Sequence, residues 1–207
     1  MKERIRGIIF DCDGVLFESR QANLAFYNAV LAELGAEPVL TDQEERVQLC
    51  HTAASPEVFA GLLGAERVPR ALAIAERLEY RQFIPWMDPE PGMRDALESL
   101  SAVLPLAVAT NRGFSMPQIL EHFSLQGYFQ TVVTSRDVDR PKPFPDMLFE
   151  AACRLDVPVG DLLFVGDSHL DQAAAKAAGM PFANYRGDLA ADLRIVHHRQ
   201  LVELFVL

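Results

Sequence analysis

A largely apolar run, Ile5 to Phe10, breaks off at Asp11-Cys12-Asp13-Gly14, and from Ser19 onward the apolar positions recur at a helical spacing. The length and composition of the run predict a buried parallel strand. In Gln21 to Leu34, the residues Leu24, Ala25, Tyr27, Val30, Leu31 and Leu34 mark one helical face, and Gly35 stops it. Thr41 with Glu44 has the pattern of a capping box and predicts a second helix through Leu49. Ser55-Pro56 supplies an N-cap and a first-turn proline for a third, closed by Gly64. Pro69 opens a longer fourth helix, predicted to run through Ile84 and to halt at Pro85. No strand is expected in this block.

Beyond Pro85 to Gly92 the period alternates. Helices are predicted at Met93 to Val103, near Pro117 to Phe123, at Pro145 to Leu155 and at Leu170 to Ala178. They are followed in turn by strands at Leu106 to Thr110, Thr131 to Thr134, Leu162 to Val165 and Pro181 to Asn184. A weak strand at Arg194 to Val196 and a helix at Gln200 to Phe205 finish the chain. This alternation predicts an α/β fold, a parallel sheet with helices on both faces, interrupted by an inserted α-helical cap. The expected division is a core of residues 1–17 and 88–207 and a cap of residues 18–87. The insert begins just after Asp13, so it hangs over the carboxyl edge of the sheet as a lid, the edge where ligands bind in such folds.

Composition narrows the function. The chain has 207 residues, half of them hydrophobic, enough for one domain of ordinary size or a domain with a smaller insert. A formal net charge of −10 argues against nucleic acid or an anionic membrane as partner, because both demand a basic face. An anionic small molecule stays possible, since a bound metal outweighs net charge at a site. Cys12, Cys50 and Cys153 are too scattered for a disulfide framework or a zinc cluster and fit a reducing compartment. The opening, Met1 to Arg6, has charge but no apolar region that would make it a signal peptide, and no run reaches membrane-spanning length. A soluble, cytoplasmic protein is expected.

The chemistry gathers at the strand ends. Alone, Asp11-Cys12-Asp13-Gly14 reads equally as a metal-binding acid pair or as an Asp-Gly turn. The other strands add Thr110-Asn111-Arg112, Arg140-Pro141-Lys142-Pro143 and Gly166-Asp167-Ser168, with Asp171 just beyond. Two acids at one strand tip resist desolvation unless a cation sits between them. Acid pair, hydroxyl, lysine and acid pair on one edge suit phosphoryl transfer, whose transition state spreads charge over three oxygens. Asp11, Asp167 and the backbone carbonyl of Asp13 can hold Mg2+, while Thr110 and Lys142 meet the phosphate oxygens. One carboxylate then attacks phosphorus, and the other, two residues on, moves the proton.

These motifs resemble the haloacid dehalogenase-like superfamily of phosphotransferases. Asp11-Cys12-Asp13-Gly14-Val15 is similar to its first motif, Thr110-Asn111 to the second, Lys142-Pro143 to the third, and Gly166-Asp167-Ser168-His169-Leu170-Asp171 to the fourth. The small-residue helix Ala173 to Met180 is similar to the one after the fourth motif. The resemblance implies a Rossmann-like core with Asp11 as nucleophile and Asp13 as general acid and base. It implies magnesium on Asp11, Asp13 and Asp167, with Asp171 as support or a further ligand. Phosphate would lie at Thr110, Asn111 and Lys142. The insert resembles the helical cap of the phosphoglycolate phosphatase and β-phosphoglucomutase branch. An acid at position 13 separates this chain from the superfamily's dehalogenases, whose leaving halide needs no proton.

The expected activity is therefore a Mg2+-dependent phosphatase acting on a small phosphorylated metabolite, phosphoglycolate-like or a sugar phosphate, through an aspartyl-phosphate. The alternatives are a sugar phosphomutase and a non-catalytic binding module on the same fold. Oligomeric state stays open. Arg112 either faces an anionic ligand or pairs with a surface acid, and Asn111 either orients the nucleophile or caps a turn. Arg46, His51 and Thr52 lie where a substrate-reading cap residue would sit, although Arg46 reads more simply as a solvated helix charge and His51 as a loop residue. His169 and Asp146 read as residues at helix starts, Cys12, Phe26 and Tyr27 as core, and Trp86 as a packing anchor.

Overall fold

The computed structural model describes residues 4–207; Met1 to Glu3, part of the opening read for a leader, lie outside the described residues. Strand β1 (Gly7–Phe10) is buried at every position and leads into the short strand β2 (Phe17–Glu18). Four helices follow: α1 (Arg20–Glu33), α2 (Glu44–Thr52), α3 (Ser55–Leu63) and α4 (Val68–Arg77). Strand β3 (Asp88–Pro89) brings the chain back, and α5 (Met93–Ser101), β4 (Leu106–Thr110), α6 (Met116–His122) and β5 (Thr131–Thr134) come next. The chain finishes with α7 (Asp146–Leu155), β6 (Leu162–Gly166), α8 (His169–Ala178), β7 (Phe182–Tyr185), β8 (Leu193–Ile195) and α9 (Arg199–Phe205). The helical block and the alternation after it thus follow the apolar periods.

The main sheet has the order β5-β4-β1-β6-β7-β8 with every pairing parallel, so β1 lies between β4 and β6. Successive side chains of β1 go to opposite faces. Ile8 and Phe10 join a core with Leu97 of α5, Ile119 of α6 and Leu201 of α9. Ile9 joins a second core with Leu148 and Ala151 of α7 and Ala174 of α8. All three β1 side chains are wholly buried, each contributing roughly 1.5–3 kcal/mol of hydrophobic free energy. Helices on both faces leave the carboxyl edge of the strands as the open rim. The insert has a core of its own, built from Val30 and Leu31 of α1, Val58 and Phe59 of α3, and Ile74 of α4.

Several local expectations are corrected. Thr41 caps nothing: α2 starts at Glu44 with Gln43 as N-cap and no side-chain cap bond, and the Gln43 side chain accepts from Leu40 N instead. Ser55 is the first residue of α3 rather than its cap, and its hydroxyl lies 3.2 Å from that of Tyr27. The fourth helix does not reach Ile84. It ends at Leu78, whose extended backbone turns the chain back toward the sheet, and two 3-10 turns follow at Tyr80–Gln82 and Ile84–Trp86. Burial explains the break, because Tyr80, Phe83 and Ile84 all enter the core under the sheet. Trp86 is no packing anchor; it is 44 % exposed while Ile84 takes the inward position of the same turn. The antiparallel pairing of β2 with β3, Phe17 with Pro89 and Glu18 with Asp88, carried no sequence signal. No helix among the described residues is long and apolar enough to cross a membrane.

Candidate active site

Asp11 follows β1 directly and is held at the rim by its backbone N–H, which donates to Val165 O of β6 at 2.9 Å. Its Oδ1 lies 2.8 Å from Lys142 Nζ, and the same ammonium donates to Asp171 Oδ1 at 2.6 Å. Oxygens of Asp11, Asp167 and Asp171 all fall within 4.8 Å of one another. Asp167 comes off the end of β6 and Asp171 from the first turn of α8. There Asp171 and Ser168 form a reciprocal capping box: Ser168 N and Oγ donate to Asp171 Oδ2 at 3.0 and 2.5 Å, and Asp171 N donates to Ser168 Oγ. One carboxylate oxygen of Asp171 thus faces Lys142, and the other fixes the helix start.

The electrostatics of this cluster are unbalanced. Burial pushes the Asp11 carboxyl up to about 7; Lys142 opposes that shift, and the charges of Asp171 and Asp13 add to it. Burial, then the charges of Asp171 and Asp11, push Asp167 up to about 8. Lys142 stays firmly protonated, since its two carboxylate partners outweigh its desolvation. Three carboxylates face one ammonium, and the two negative charges left over match one divalent cation. The donors are hard oxygens, as Mg2+ prefers. Gly14 makes room for them: it adopts φ +73°, and a Cβ there would collide with the carboxylate of Asp167. Residue 14 therefore needs both the left-handed backbone and the missing side chain.

Asp13 is held apart from that cluster. Its side chain accepts from Ser19 Oγ, from Asn23 Nδ2 at 3.0 Å and from Arg112 Nη2 at 2.5 Å. Burial alone would raise its pKa, but Arg112, His51 and the hydrogen bond from Ser19 hold the carboxyl below its usual value. Ser19, Asn23 and Tyr80 were not singled out in the sequence. They come from the entry and exit of the helical insert and meet Asp13 and Arg112 only in the folded chain. Nothing at the level of motif marks them; Ser19 and Asn23 carry only the weak signal of polar residues buried near an acid pair.

The remaining candidates are placed as follows. Thr110 is buried at the end of β4, two residues past Val108, the register partner of Phe10. Asn111 clamps the lysine loop: its Oδ1 accepts from Lys142 N and its Nδ2 donates to Lys142 O, each at 3.0 Å, with a further 3.0 Å bond to Thr52 O of the insert. Both ends of its amide are used on backbone, so its direct effect is to set the position of Lys142. Arg112 is buried, pairing with Asp13 rather than with a surface acid. His51 is buried on α2 and not in a loop, whereas Arg46 only reaches Gln43. His169 is exposed at the start of α8, Asp146 opens α7 and pairs with Arg140, and Cys12 is wholly buried.

Similarity to known proteins agrees with this architecture. Residues 8–185 match the haloacid dehalogenase-like hydrolase family. The chain is 33 % identical to a phosphoglycolate phosphatase of Escherichia coli O157:H7, over 86 % of this chain and 80 % of that protein. It is 32 % identical to the phosphoglycolate phosphatase of Shigella boydii over the same shares. Among solved structures, a HAD-superfamily hydrolase of subfamily IA from Geobacter sulfurreducens superposes with a TM-score of 0.85 at 37 % identity, covering 97 % of this chain and 100 % of that one. The Rhodobacter sphaeroides protein CbbY shares the fold with a TM-score of 0.81 at 24 % identity, covering 98 % and 100 %.

Proposed function

The chain belongs to the haloacid dehalogenase-like hydrolase family and is a phosphatase; from that premise we propose that it hydrolyses a small phosphorylated metabolite, phosphoglycolate-like or a sugar phosphate, with Mg2+ and through an aspartyl-phosphate. The observation that carries the reading is the group of three carboxylates around one buried ammonium at the carboxyl edge of the sheet. The names of the curated relatives support the substrate class.

In this reading Asp11, the backbone carbonyl of Asp13 and Asp167 hold the magnesium, with Asp171 behind them. When bound, the ion neutralises charge on the carboxylates and the phosphoryl oxygens. The Asp11 carboxylate attacks phosphorus, and the bond to the leaving oxygen breaks as Asp13, which Arg112 keeps ionised until it has taken up a proton, delivers that proton to the leaving oxygen. Water then attacks the aspartyl-phosphate, Asp13 takes a proton from it, and phosphate leaves with Asp11 regenerated. Lys142 and the Thr110 hydroxyl bind the non-bridging oxygens throughout, and Asn111 keeps Lys142 in place. Residues 18–87 act as the cap that covers the rim and excludes water. The enzyme works in the cytoplasm, a placement supported by cysteines that are all unpaired.

Hydrolysis of an aryl phosphate with and without Mg2+, beside an Asp11→Asn control, tests the reading. Mg2+-dependent phosphate release by the wild type alone is expected. A wild type no more active than the control would overturn it.

A further inference from the structure

The carboxylate of Asp13 is held by one of its two oxygens. Ser19 Oγ, Asn23 Nδ2 at 3.0 Å and Arg112 Nη2 at 2.5 Å all donate to Oδ1. Oδ2 accepts from none of the described residues and is not sealed from solvent. The side chain is 10 % exposed, and it lines the cavity between core and insert. The backbone beside it is fixed as well: Gly14 N donates to Phe17 O at 2.8 Å, and Leu16 N to Cys12 O at 2.9 Å. With backbone and Oδ1 both held, Oδ2 has one direction left to face.

The donors are themselves immobile. Arg112 Nη1 donates to Tyr80 Oη at 2.8 Å and to Ser115 Oγ at 3.2 Å, and Nη2 donates to Asn23 Oδ1 at 2.7 Å as well as to Asp13. All four terminal hydrogens of the guanidinium are thus spent inside the protein. Asn23 Oδ1 also accepts from Tyr80 Oη at 3.0 Å. Turning its amide over would set the NH2 group against two donors and break the bond to Asp13. Arg112, Asn23 and Tyr80 are all buried, so a bond lost from this ring is not replaced by water. The ring also reaches the phosphate side of the site, because Arg112 N donates to Thr110 Oγ1 at 3.2 Å.

We propose that Arg112 and Asn23 are the positioning residues of proton transfer: they pin Oδ1 of Asp13, so that Oδ2 is the atom that carries the proton to and from the reacting oxygens. This rests on the phosphatase reading and deepens it. In the first half of the reaction the bond from Asp11 to phosphorus forms, the bond to the leaving oxygen breaks, and the proton on Oδ2 passes to that oxygen. In the second half the bond from water to phosphorus forms, the aspartyl bond breaks, and Oδ2 takes the proton of the water. The negative charge that appears on Asp13 after the first half is met at Oδ1 by donors already in place. A carboxylate free to turn would lose that aim, and a misplacement of about 1 Å costs up to roughly 100-fold in rate.

The test varies how far the leaving group needs a proton. Ethyl phosphate and acetyl phosphate carry two-carbon groups of similar size, but the first must release an alcohol and the second releases acetate, which leaves without a proton. Their kcat/KM values report transition-state stabilisation up to that departure. Asn23→Ala and Arg112→Lys should each lower kcat/KM on ethyl phosphate by at least about tenfold more than on acetyl phosphate, the same bias that Asp13→Asn should show. Arg112→Lys keeps the charge and loses the fork, so a bias there reports geometry. Tyr80→Phe removes one hydroxyl from the ring at nearly constant shape and should show the bias in smaller measure, which keeps the test open if a harsher variant misfolds. Variants that depress both esters by one factor, while Asp13→Asn retains the bias, would overturn the positioning role and leave the phosphatase intact. A wild type inactive on both esters and on aryl phosphate would remove the phosphatase reading itself, and this inference with it.

Discussion

The ammonium of Lys142 lies 2.6 Å from Oδ1 of Asp171, with the two side chains 2 % and 0 % exposed. A buried pair of this kind is weak evidence for stability but costly to break, because one charge is left behind without compensation.

Lys142→Met should therefore destabilise the fold by about 3–5 kcal/mol in urea unfolding, because Asp11 and Asp171 stay buried without their cation, and it should raise KM as the phosphate loses its ammonium. The double variant Lys142→Met, Asp171→Leu should regain part of that stability and have no turnover. A single variant as stable as the wild type would show that the pair is not under the strain of desolvation described.

Asp13→Asn should keep metal binding, because only the backbone carbonyl of residue 13 is assigned to the ion. Turnover should fall by about 10²–10⁴-fold, the usual contribution of a positioned acid and base. Arg112 also loses its counter-charge, so a lower melting temperature accompanies the loss. Steady-state kinetics and a Mg2+ titration on the same protein separate the two effects. Unchanged turnover would remove Asp13 from proton transfer.

Mg2+ should stabilise the wild type, by about 2.7 kcal/mol at a free concentration one hundred times its dissociation constant. Asp167→Asn takes away one oxygen donor of the carboxylate cluster and should abolish most of that shift. Thermal melts in Mg2+ and in EDTA read the difference directly. An equal shift in both proteins would move the ion away from Asp167.

His198 gives a pH-dependent contribution to stability outside the site. It is wholly buried, its ring 4.7 Å from that of Tyr185 and 6.4 Å from that of Phe10. Burial, with the nearby charges of His197 and Arg186, lowers its pKa to about 4. The unfolded chain binds this proton near pH 6.5, so the contribution is whole above that value and is lost as pH falls toward 4. From a shift of this size the loss is roughly 3 kcal/mol. His198→Phe should lose this dependence, so the stability difference between wild type and variant should slope over that interval, measured by urea unfolding in Mg2+. A wild type with no steeper acid loss than the variant would contradict the burial account.

Strands β4 and β5 appear at the residues their apolar runs mark, Leu106–Thr110 and Thr131–Thr134. A fully buried parallel strand is a local signal, and so is an acid, hydroxyl or lysine directly after one. Events decided by distant partners were not legible. Leu78 breaks α4 because Tyr80 and Phe83 pack under the sheet, a demand that the helical period of residues 69–84 does not contain. Asp13 and Arg112 are 99 positions apart, and Tyr80 and Asn23 are 57 apart. For the same reason Arg112 and Asn111 stayed ambiguous as sequence: their roles are set by what the insert and the lysine loop bring to them. The misread cap at Thr41 is a different failure, a short local pattern displaced when Gln43 took the N-cap position.

The pairing of Phe17 with Pro89 and Glu18 with Asp88 ties the outgoing and returning chains together at one neck. Everything between them enters and leaves through that neck, so its length and sequence can change without altering the strand order around β1. A lineage carrying this sheet can exchange the intervening cassette to meet new metabolites while the phosphate chemistry beneath is inherited unchanged.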